Sequence, residues 1–480
     1  MKRNNNRTVI VVGAGLGGIA AAIGLRLQGY QVQIWDRNEQ GGGKLQEWRK
    51  EGYRWDLGPS LLTMPEVLND WFRLAGRKME DYITLVPLEN TCRYFWQDGK
   101  IIDEDDAFWK NPEVQSLLKY GEGIYQLSGK AYLNHPPSEF WRAFHWRNWK
   151  DLKHLPKLMS LQTLAQVVEK KINDPYLRQL FCRYATYNGS SPYLTPSTFL
   201  IIPYVEAHFG GWYVKGGMRK LAEVFERIAR EEGVDFNYSQ EAIRYENKKI
   251  TSHEGIEATP DLLICNGEAI RTANTLFKEC YTEKEKNKIN KPSLSSSGFI
   301  ILLGVRGENK ELKHHNISFT RDYPEEFKSI FEKKELPLDP TIYISITKRE
   351  ERGDAPEGCE NWFVLVNAPA KTNFSDQEIE NYREKVIQEL RNRNLLLPSQ
   401  KIEISRQIYA GEIAKRDLTT EGALYGWASH SIVSSLYRPA MKHPREEIYY
   451  VGGSTHPGGG IPLVLLSAKM ICEKILKNFS

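Results

Sequence analysis

The sequence lacks the cysteine spacing that marks a disulfide framework or a zinc site. No two of its six cysteines are closer than 15 residues, so no Cys-x-x-Cys pair is present. Isolated cysteines are typical of a reducing compartment, where they serve as small buried apolar side chains. We therefore expect a cytoplasmic protein without a metal centre. The cysteines are Cys92, Cys182, Cys265, Cys280, Cys359 and Cys472.

The sequence also lacks a pronounced charge of either sign. Its 65 basic and 61 acidic residues leave a net charge of only +4, and no block of five consecutive Lys or Arg occurs. Nucleic acid is therefore not an expected partner. Hydrophobic residues at 41% and charged residues at 26% are typical of a globular chain, and 480 residues are enough for several structural units.

The amino terminus resembles a signal peptide or membrane span but lacks the features of either. The 18 residues from Thr8 to Leu25 carry no charge, yet they include five glycines that disfavour a stable span. The pattern also continues directly into a second strand, QVQIW at 31–35. A nucleotide-binding βαβ start explains all of these observations.

What the sequence does contain is a strand followed by a glycine-rich turn. The β-branched run TVIVV at 8–12 predicts a buried parallel strand, and GAGLGG at 13–18 follows it. In the pattern GxGxxG, Gly13 permits a tight turn and Gly15 lets the backbone approach a pyrophosphate. Gly18 lets the following helix lie close to the strand.

The next residues complete a dinucleotide-binding unit. Residues 17–28 predict a helix whose N-terminal N–H groups face an anion. Asp36 ends the second strand 18 residues after Gly18, where an acid binds ribose hydroxyls. Strand, helix, strand and acid in this order predict a bound nucleotide. A glycine-rich turn without a ligand is the alternative.

A glycine cluster and a rigid turn after the second strand favour FAD over a nicotinamide cofactor. Gly42 and Gly43 supply further backbone N–H groups, and Lys44 places a cation beside them. The segment DLGPS at 56–60 predicts a rigid turn. A solvent-exposed hairpin would also suit the three consecutive glycines at 41–43.

These motifs resemble those of the FAD-dependent phytoene desaturase family, which lies within the amine-oxidase-like flavoproteins. That family carries GxGxxG, an acid that ends the second strand, a glycine doublet followed by a cation, and a D-x-G-P turn. Asp36 and Lys44 stand where the family often has Glu and Arg. The resemblance covers nearly the whole chain. It implies a mixed α/β (α+β) fold of amine-oxidase-like architecture, in which a Rossmann-like FAD-binding domain carries an inserted substrate domain.

The carboxyl-terminal segment carries the second strong motif. YVGGSTHPGGGIP at 450–462 is similar to the family signature G-x-G-T-H-P-G-x-G-I-P, and residues 463–477 predict a helix. A helix N-terminus beside the flavin ring would favour the anionic reduced flavin. Ser454 and His456 have no acidic residue nearby in sequence, so a hydrolase triad is not predicted.

The resemblance implies contacts to FAD from several short segments. By position in the family, the strand at 239–246 brackets the adenine near Ala242. We nominate no catalytic side chain, because the cofactor carries the chemistry. His314 and His315 lack a partner at metal-ligand spacing and predict a turn or a core pair. The predicted FAD-binding residues are Gly13, Gly15, Gly17, Gly18, Asp36, Gly42, Gly43, Lys44, Gly58, Pro59, Ser60, Ala242, Gly453, Ser454, Gly460, Ile461 and Pro462.

Separated pieces of chain are expected to form each domain. The charged stretch at 277–298 predicts a solvated connection. A parallel sheet flanked by helices should carry the nucleotide, with a second sheet over the flavin. The expected FAD-binding domain comprises residues 1–70, 205–285 and 410–480, and the expected substrate domain comprises residues 71–204 and 286–409.

Within the family, the chain resembles bacterial hydroxycarotenoid 3,4-desaturases, for example at 52–65, 184–193 and 354–369. The resemblance implies an FAD-dependent desaturase of carotenoid biosynthesis, which moves a hydride from an acyclic, hydroxylated polyene to flavin N5. Oxygen or a membrane quinone would then reoxidise the flavin. Two alternatives stay open. One is another flavin oxidase, acting on an amine or a porphyrinogen, and the other is a non-enzymatic prenyl-binding escort protein on the same fold.

Residues 140–160 form a candidate membrane-docking segment. The sequence FWRAFHWRNWKDLKHLPKLMS has five large aromatic residues and five cations against one acid. Trp combined with Lys and Arg is the composition of an interfacial helix. Because a carotene is insoluble in water, we expect a cytoplasmic protein that associates peripherally with a membrane surface. An ordinary amphipathic helix packed on the protein is the alternative.

Overall fold

The structure is a computed structural model that describes residues 7–89, 91–131, 162–436 and 438–479. Its strands fall into two large sheets, one three-stranded sheet and two two-stranded ribbons. The strands are β1 (Thr8–Val12), β2 (Gln31–Trp35), β3 (Glu47–Lys50), β4 (Tyr53–Asp56), β5 (Leu85–Pro87), β6 (Arg93–Phe95), β7 (Ile101–Asp103), β8 (Trp212–Val214), β9 (Asp235–Asn237), β10 (Ala242–Glu246), β11 (Lys249–Ser252), β12 (Glu257–Ala258), β13 (Leu262–Cys265), β14 (Ser297–Arg306), β15 (His315–Ser318), β16 (Ile342–Ile346), β17 (Cys359–Ala368), β18 (Lys401–Ile408) and β19 (Ile448–Tyr450).

The helices surround these sheets and connect their strands. Most of the longer ones bury an apolar stripe, as expected for helices that cover a sheet. They are α1 (Leu16–Leu27), α2 (Pro65–Leu74), α3 (Asp106–Lys110), α4 (Pro112–Ala131), α5 (Leu164–Lys171), α6 (Pro175–Cys182), α7 (Ile201–Phe209), α8 (Arg219–Glu231), α9 (Ala269–Asn274), α10 (Glu283–Asn290), α11 (Tyr323–Lys328), α12 (Asp376–Asn392), α13 (Ala410–Asp417), α14 (Ile432–Leu436) and α15 (Ile461–Phe479).

The first large sheet has five parallel strands in the order β19-β13-β1-β2-β9. Val9 and Val11 face helices α1, α8 and α15, whereas Ile10 faces the three-stranded sheet β10-β11-β12 on the other side. Burial on both faces explains why TVIVV is a continuous apolar run. The sheet confirms the Rossmann-like α/β fold, and it is built from segments that are far apart in sequence.

The second large sheet has seven strands in the order β18-β14-β17-β16-β15-β6-β7. Helix α12 covers one face, where Ile301, Ile344 and Val364 pack. The opposite face carries Ile300, Leu302 and Phe363 and packs against the β3–β4 hairpin. We call this second side the inner face. The structure thus contains the predicted second sheet, while the exact domain boundaries stay a prediction.

Two expectations from the sequence meet different outcomes here. The charged stretch at 277–298 contains helix α10, none of whose residues is buried. This helix starts with a capping box between Thr282 and Glu285, a signal that apolar periodicity does not reveal.

The candidate membrane-docking segment at 140–160 lies outside the described residues. In the part of the chain that is described, no helix combines the length and apolarity needed to cross a bilayer.

Candidate cofactor and substrate site

The loop between β1 and α1 is shaped by the absence of side chains. Gly13 has a φ of +100°, a conformation that favours glycine. A Cβ on Gly18 would stand 2.2 Å from the carbonyl oxygen of Gly13. Because that neighbour is backbone and cannot move aside cheaply, only glycine lets α1 begin so close to β1. The structure therefore gives Gly18 the packing role that the GxGxxG spacing predicts.

Asn266 is a residue that the sequence reasoning missed. It directly follows β13, and its backbone N–H donates to the carbonyl of Val12 over 2.9 Å. Its side-chain amide lies 2.5 Å from the place of a Cβ on Gly15 and 2.8 Å from one on Gly17. Adjacent parallel strands end at the same edge of a sheet. The position of Asn266 directly after a strand that pairs with β1 was therefore the available signal that it lies beside the glycine loop.

A second glycine loop packs against the first through main-chain atoms. The N–H of Gly42 donates to the carbonyl of Ala14 over 2.8 Å, and Gly15 pairs with Gly42 in an isolated parallel bridge. A Cβ on Gly43 would stand 3.0 Å from the Cα of Gly15. The predicted glycine doublet thus lies against the glycine-rich loop that follows β1, and a solvent-exposed hairpin is the wrong interpretation of it.

Asp36 lies at the carboxyl end of β2 and is 8% exposed. Its Oδ2 accepts the N–H of Ala14 at 2.7 Å, and its Oδ1 accepts the backbone and side-chain N–H groups of Asn38 at 2.8 and 2.9 Å. A carboxylate offers about four acceptor positions. One therefore remains on Oδ2 for a ribose hydroxyl, and the acid also ties β2 to the glycine loop.

Ala242 is connected to Asp36 by a backbone hydrogen bond of the residues that precede it. It begins β10, two residues after Gln240, whose N–H donates to the carbonyl of Asp36 over 2.8 Å. Ala242 also packs against the cluster that contains Trp35. The structure therefore places this predicted adenine contact near the end of β2.

Lys44 is held in place rather than left free beside the glycines. Its ammonium donates to the carbonyl of Leu424 over 2.7 Å. A Cβ on Gly58 would stand 2.0 Å from the carbonyl oxygen of Lys44. The turn at 56–60 thus lies directly against the backbone of the lysine.

The turn that follows β4 is fixed by a buried ion-pair network. The guanidinium of Arg54 donates to Asp56, Asp354 and the hydroxyl of Tyr213. The N–H of Met218 also donates to Asp56 over 3.0 Å. Burial raises the pKa of Asp56, and Arg54 opposes that shift. This network holds the end of β4, where the predicted turn begins, through partners that are distant in sequence.

The carboxyl-terminal motif forms the other side of the cradle. Helix α15 begins at Ile461, with Pro462 as its second residue, and the Oγ of Ser454 accepts the N–H of Ala269 at 3.0 Å. A Cβ on Gly453 would stand 3.3 Å from the Cα of Gly459, which brings two backbones together.

Space is open directly before this helix. Gly460 has a φ of +106°, and no atom lies within 4 Å of the place where its Cβ would be. Helix α15 therefore presents its N-terminus to open space, where free N–H groups and the positive end of the dipole favour an anion or an electron-rich ring edge.

The inner face of the large sheet approaches the same turn. Strand register puts Tyr343 opposite Leu365, so the two side chains share this face. Both are partly exposed on a face that is otherwise largely buried. The Oγ of Ser60 lies 2.6 Å from the hydroxyl of Tyr343. Ser60 therefore links the segment that holds Lys44 to the inner face.

This arrangement fits FAD. Two glycine loops offer main-chain N–H groups at close range, Asp36 retains an acceptor, and the start of α15 borders open space at Gly460. The structure brings the predicted stretches 13–18, 36, 42–44, 58–60 and 453–462 together around β1, β2, β13 and α15, with Ala242 near the end of β2. Within the described ranges, no group of acidic, His or Cys side chains is arranged to hold a metal ion.

The sequence matches a flavoenzyme family and named relatives over almost its full length. The profile described as flavin containing amine oxidoreductase matches residues 16–476. A 1-hydroxycarotenoid 3,4-desaturase from Flavobacterium sp. is 35% identical and covers 98% of this chain and 99% of its own. A 4,4'-diapolycopene oxygenase from Methylomonas sp. is 32% identical with full coverage of both chains, and a 4,4'-diaponeurosporene oxygenase from Staphylococcus aureus is 32% identical over 97% of each.

Solved structures agree with the fold. Putrescine oxidase bound to putrescine superposes with a TM-score of 0.65 at 12% identity, covering 98% of this chain and 99% of that one. Reduced UDP-galactopyranose mutase gives a TM-score of 0.61 at 16% identity, with coverage of 99% and 94%. At such identities the likeness concerns the fold alone, and the substrates of these proteins say nothing about this chain.

Proposed function

This chain belongs to the family of flavin-containing amine oxidoreductases, and from that membership we propose that it is an FAD-dependent desaturase of an acyclic, hydroxylated carotenoid. Its cofactor is FAD, and its relatives modify carotenoids. The observation that carries the proposal is the 35% identity, over 98% of the chain, to a protein named for desaturation between carbons 3 and 4 of a 1-hydroxycarotenoid.

The residues around the cradle support this proposal by what they can do to a cofactor and a polyene. FAD, when bound, supplies the acceptor for the hydride that leaves the substrate. The glycine loops and Asp36 would hold its phosphates and ribose, and the start of α15 would face its ring. Tyr343 and Leu365 would offer the polyene a mostly apolar surface from which water is excluded. No described side chain is needed as a strong base, because positive charge spreads along a polyene and makes the neighbouring C–H acidic.

Oxygenation is the second candidate, favoured by two relatives named as oxygenases at 32% identity. Product analysis separates the two reactions. The enzyme is incubated with an acyclic 1-hydroxycarotene and with an acyclic carotene that has no oxygen. Loss of two hydrogen atoms supports desaturation. Gain of an oxygen atom in the product would overturn it in favour of oxygenation.

The remaining alternatives are tested by the flavin itself. A yellow protein whose flavin bleaches without oxygen on addition of the hydroxycarotene, but not of putrescine or a porphyrinogen, supports the proposal. Bleaching by the amine or the porphyrinogen alone would contradict it. A purified protein that binds polyene but no flavin would instead match the prenyl-binding escort.

We further propose that the protein works peripherally at a membrane on the cytoplasmic side, with oxygen or a quinone as the electron acceptor. The support is the insolubility of the substrate and the Trp-rich, basic sequence of residues 140–160. Anionic liposomes should sediment the wild-type protein in a salt-sensitive way and the variant Trp146→Ser/Trp149→Ser more weakly. Equal sedimentation of the two proteins would rule out this segment as the membrane contact.

A further inference from the structure

Two neighbouring histidines at the start of strand β15 are buried with unused hydrogen-bonding capacity. His314 is 4% exposed and His315 is 3% exposed. Their ring centroids are 4.4 Å apart. Both nitrogens of His314 and the Nε2 of His315 have no hydrogen-bond partner among the described residues. Buried polar nitrogens are normally paired, so three such atoms side by side call for a ligand that pairs with them.

The histidines connect directly to the cofactor cradle. The Nδ1 of His315 lies 2.8 Å from the hydroxyl of Tyr343, and that hydroxyl lies 2.6 Å from the Oγ of Ser60. His314 in turn packs its ring against Tyr213, at 5.1 Å between centroids. The chain from Ser60 through Tyr343 to His315 therefore runs from the turn beside Lys44 along the inner face.

Burial favours the neutral form of both imidazole rings. Burial lowers the pKa of His314 to about 3, and it also lowers the pKa of His315, with further contributions from His314 and Arg183. A neutral imidazole has one N–H donor and one acceptor nitrogen. The pair can thus both donate to and accept from a single small polar group without holding a charge in an apolar site.

From these contacts we infer that His314 and His315, the latter oriented by Tyr343, form a subsite that binds the hydroxyl group of the substrate and selects alcohols over unsubstituted polyenes. The inference rests on the proposed function. An alcohol is the group that uses both capacities of the imidazole pair, because it donates one hydrogen bond and accepts others. A carbonyl or an ether can only accept. In the proposed substrate the hydroxyl carbon is two bonds from the nearer reacting carbon, so its subsite must adjoin the flavin. Ser60 and Tyr343 link the histidines to the turn beside Lys44, which belongs to the cradle proposed for FAD.

The test compares three acyclic polyenes on the holoenzyme without oxygen. They are the tertiary alcohol, its methyl ether and the hydrocarbon that has neither. Tryptophan fluorescence quenching measures the dissociation constant, and flavin bleaching measures the rate. The wild type should bind the alcohol at least about tenfold more tightly than the ether or the hydrocarbon, since the latter two leave imidazole groups unpaired. Equal binding of all three polyenes would overturn the subsite.

Substitutions assign the preference to the histidines. In His315→Phe the alcohol preference should fall to within about twofold, while binding of the hydrocarbon is retained. Tyr343→Phe should reduce the preference partially, because the ring of His315 loses its orienting partner. Tyr382→Phe is the matched control. This buried tyrosine donates to the carbonyl of Pro337 and packs under the other face of the sheet, so its loss should leave the preference unchanged.

The outcomes distinguish this inference from the function on which it rests. Turnover of alcohol and hydrocarbon at equal efficiency keeps the desaturase and discards the subsite. The same holds if His315→Phe retains the full preference. If His315→Phe purifies without flavin, the wild-type comparison of alcohol with ether and the Tyr343→Phe variant decide. A wild type that binds none of the polyenes discards both proposals.

Discussion

The glycine-rich loop at 13–18 and the inner face of the seven-stranded sheet build their parts of the site in opposite ways. Around β1, six consecutive residues at 13–18 place main-chain atoms against Asn266 and a second glycine loop. On the inner face, the contact between Ser60 and Tyr343 joins residues that are 283 positions apart. The first region works through side chains that are missing, and the second through polar side chains that are buried. Substitutions should therefore fail by steric overlap in one region and by lost polar partners in the other.

The largest effect is expected from adding bulk to the first region. In Gly15→Val the new side chain would displace the Asn266 amide and occupy the pyrophosphate space, so we expect a folded protein without bound FAD. In Gly18→Val the new atoms meet backbone at 2.2 Å, so we expect loss of the fold itself. Flavin absorbance and circular dichroism measure the two outcomes. A yellow Gly15→Val protein would contradict the phosphate-loop assignment.

The second-largest effect is expected from removing the positive charge of Arg54, which pairs with the acids at the turn after β4. Arg54→Met leaves Asp56 and Asp354 buried without their cation. Breaking a buried ion pair in this way costs about 3–5 kcal/mol of unfolding free energy. Denaturant unfolding of the flavin-loaded protein measures the loss, with the exposed Arg49→Met as the control. A loss equal to that of the control would show that the network does not stabilise the turn.

Burial of the Glu326 carboxyl group, in helix α11, predicts a pH dependence of stability. Burial raises the pKa of Glu326 to about 7, while its carboxylate accepts hydrogen bonds from the backbone and hydroxyl of Thr341. The folded-state pKa lies above the unfolded value. The protonated Glu326 therefore contributes stability to the fold that is fully present below pH ~4.5 and is lost as the pH rises through ~7. The expected loss is about 3 kcal/mol across that window.

The variant Glu326→Gln should flatten this part of the profile, because an amide does not titrate. Glu325→Gln changes the neighbouring carboxylate, which is half-exposed and paired with Lys333, and should leave the profile unchanged. Unfolding free energies at several pH values between 5 and 8 provide the comparison. An unaltered slope in Glu326→Gln would contradict the raised pKa.

The smallest effect is expected at the acid of the first region. Asp36→Asn keeps the size of the side chain but removes the charge from its hydrogen bonds to Ala14 and to the ribose. A charge-assisted bond contributes about 1.5–3 kcal/mol, so FAD affinity should fall by about tenfold or more. Titration of the apoprotein with FAD measures it, and Asp235→Asn, at an exposed strand position, serves as the control. Unchanged affinity would mean that Asp36 only braces the loop.

The two regions also differ in how far the sequence predicts them. The spacing of Gly13, Gly15 and Gly18 with Asp36 indicated a nucleotide cradle, because local backbone geometry and a fixed βαβ unit leave few alternatives. The same spacing could not reveal Asn266, whose place depends on the pairing of β13 with β1. The carboxyl-terminal signature indicated helix α15 to within two residues at each end.

For the inner face, the linear pattern was much less informative. His314 and His315 were predicted as a turn or core pair, and their burial fits a core position. Nothing in the linear pattern indicated that a tyrosine 28 residues away would orient one ring, or that a serine from the amino-terminal part would complete the chain.

What the sequence determined by itself is therefore the chemistry that depends on neighbouring residues: the glycine turn, the acid that ends β2, and the helix that starts after the carboxyl-terminal signature. Only the tertiary structure decided which polar side chains meet on the inner face of the seven-stranded sheet. Short-range backbone sterics restrict a few consecutive residues to one conformation. Contacts between strands such as β4, β15 and β16 depend instead on sheet order and register, which many sequences can satisfy and which no local spacing encodes.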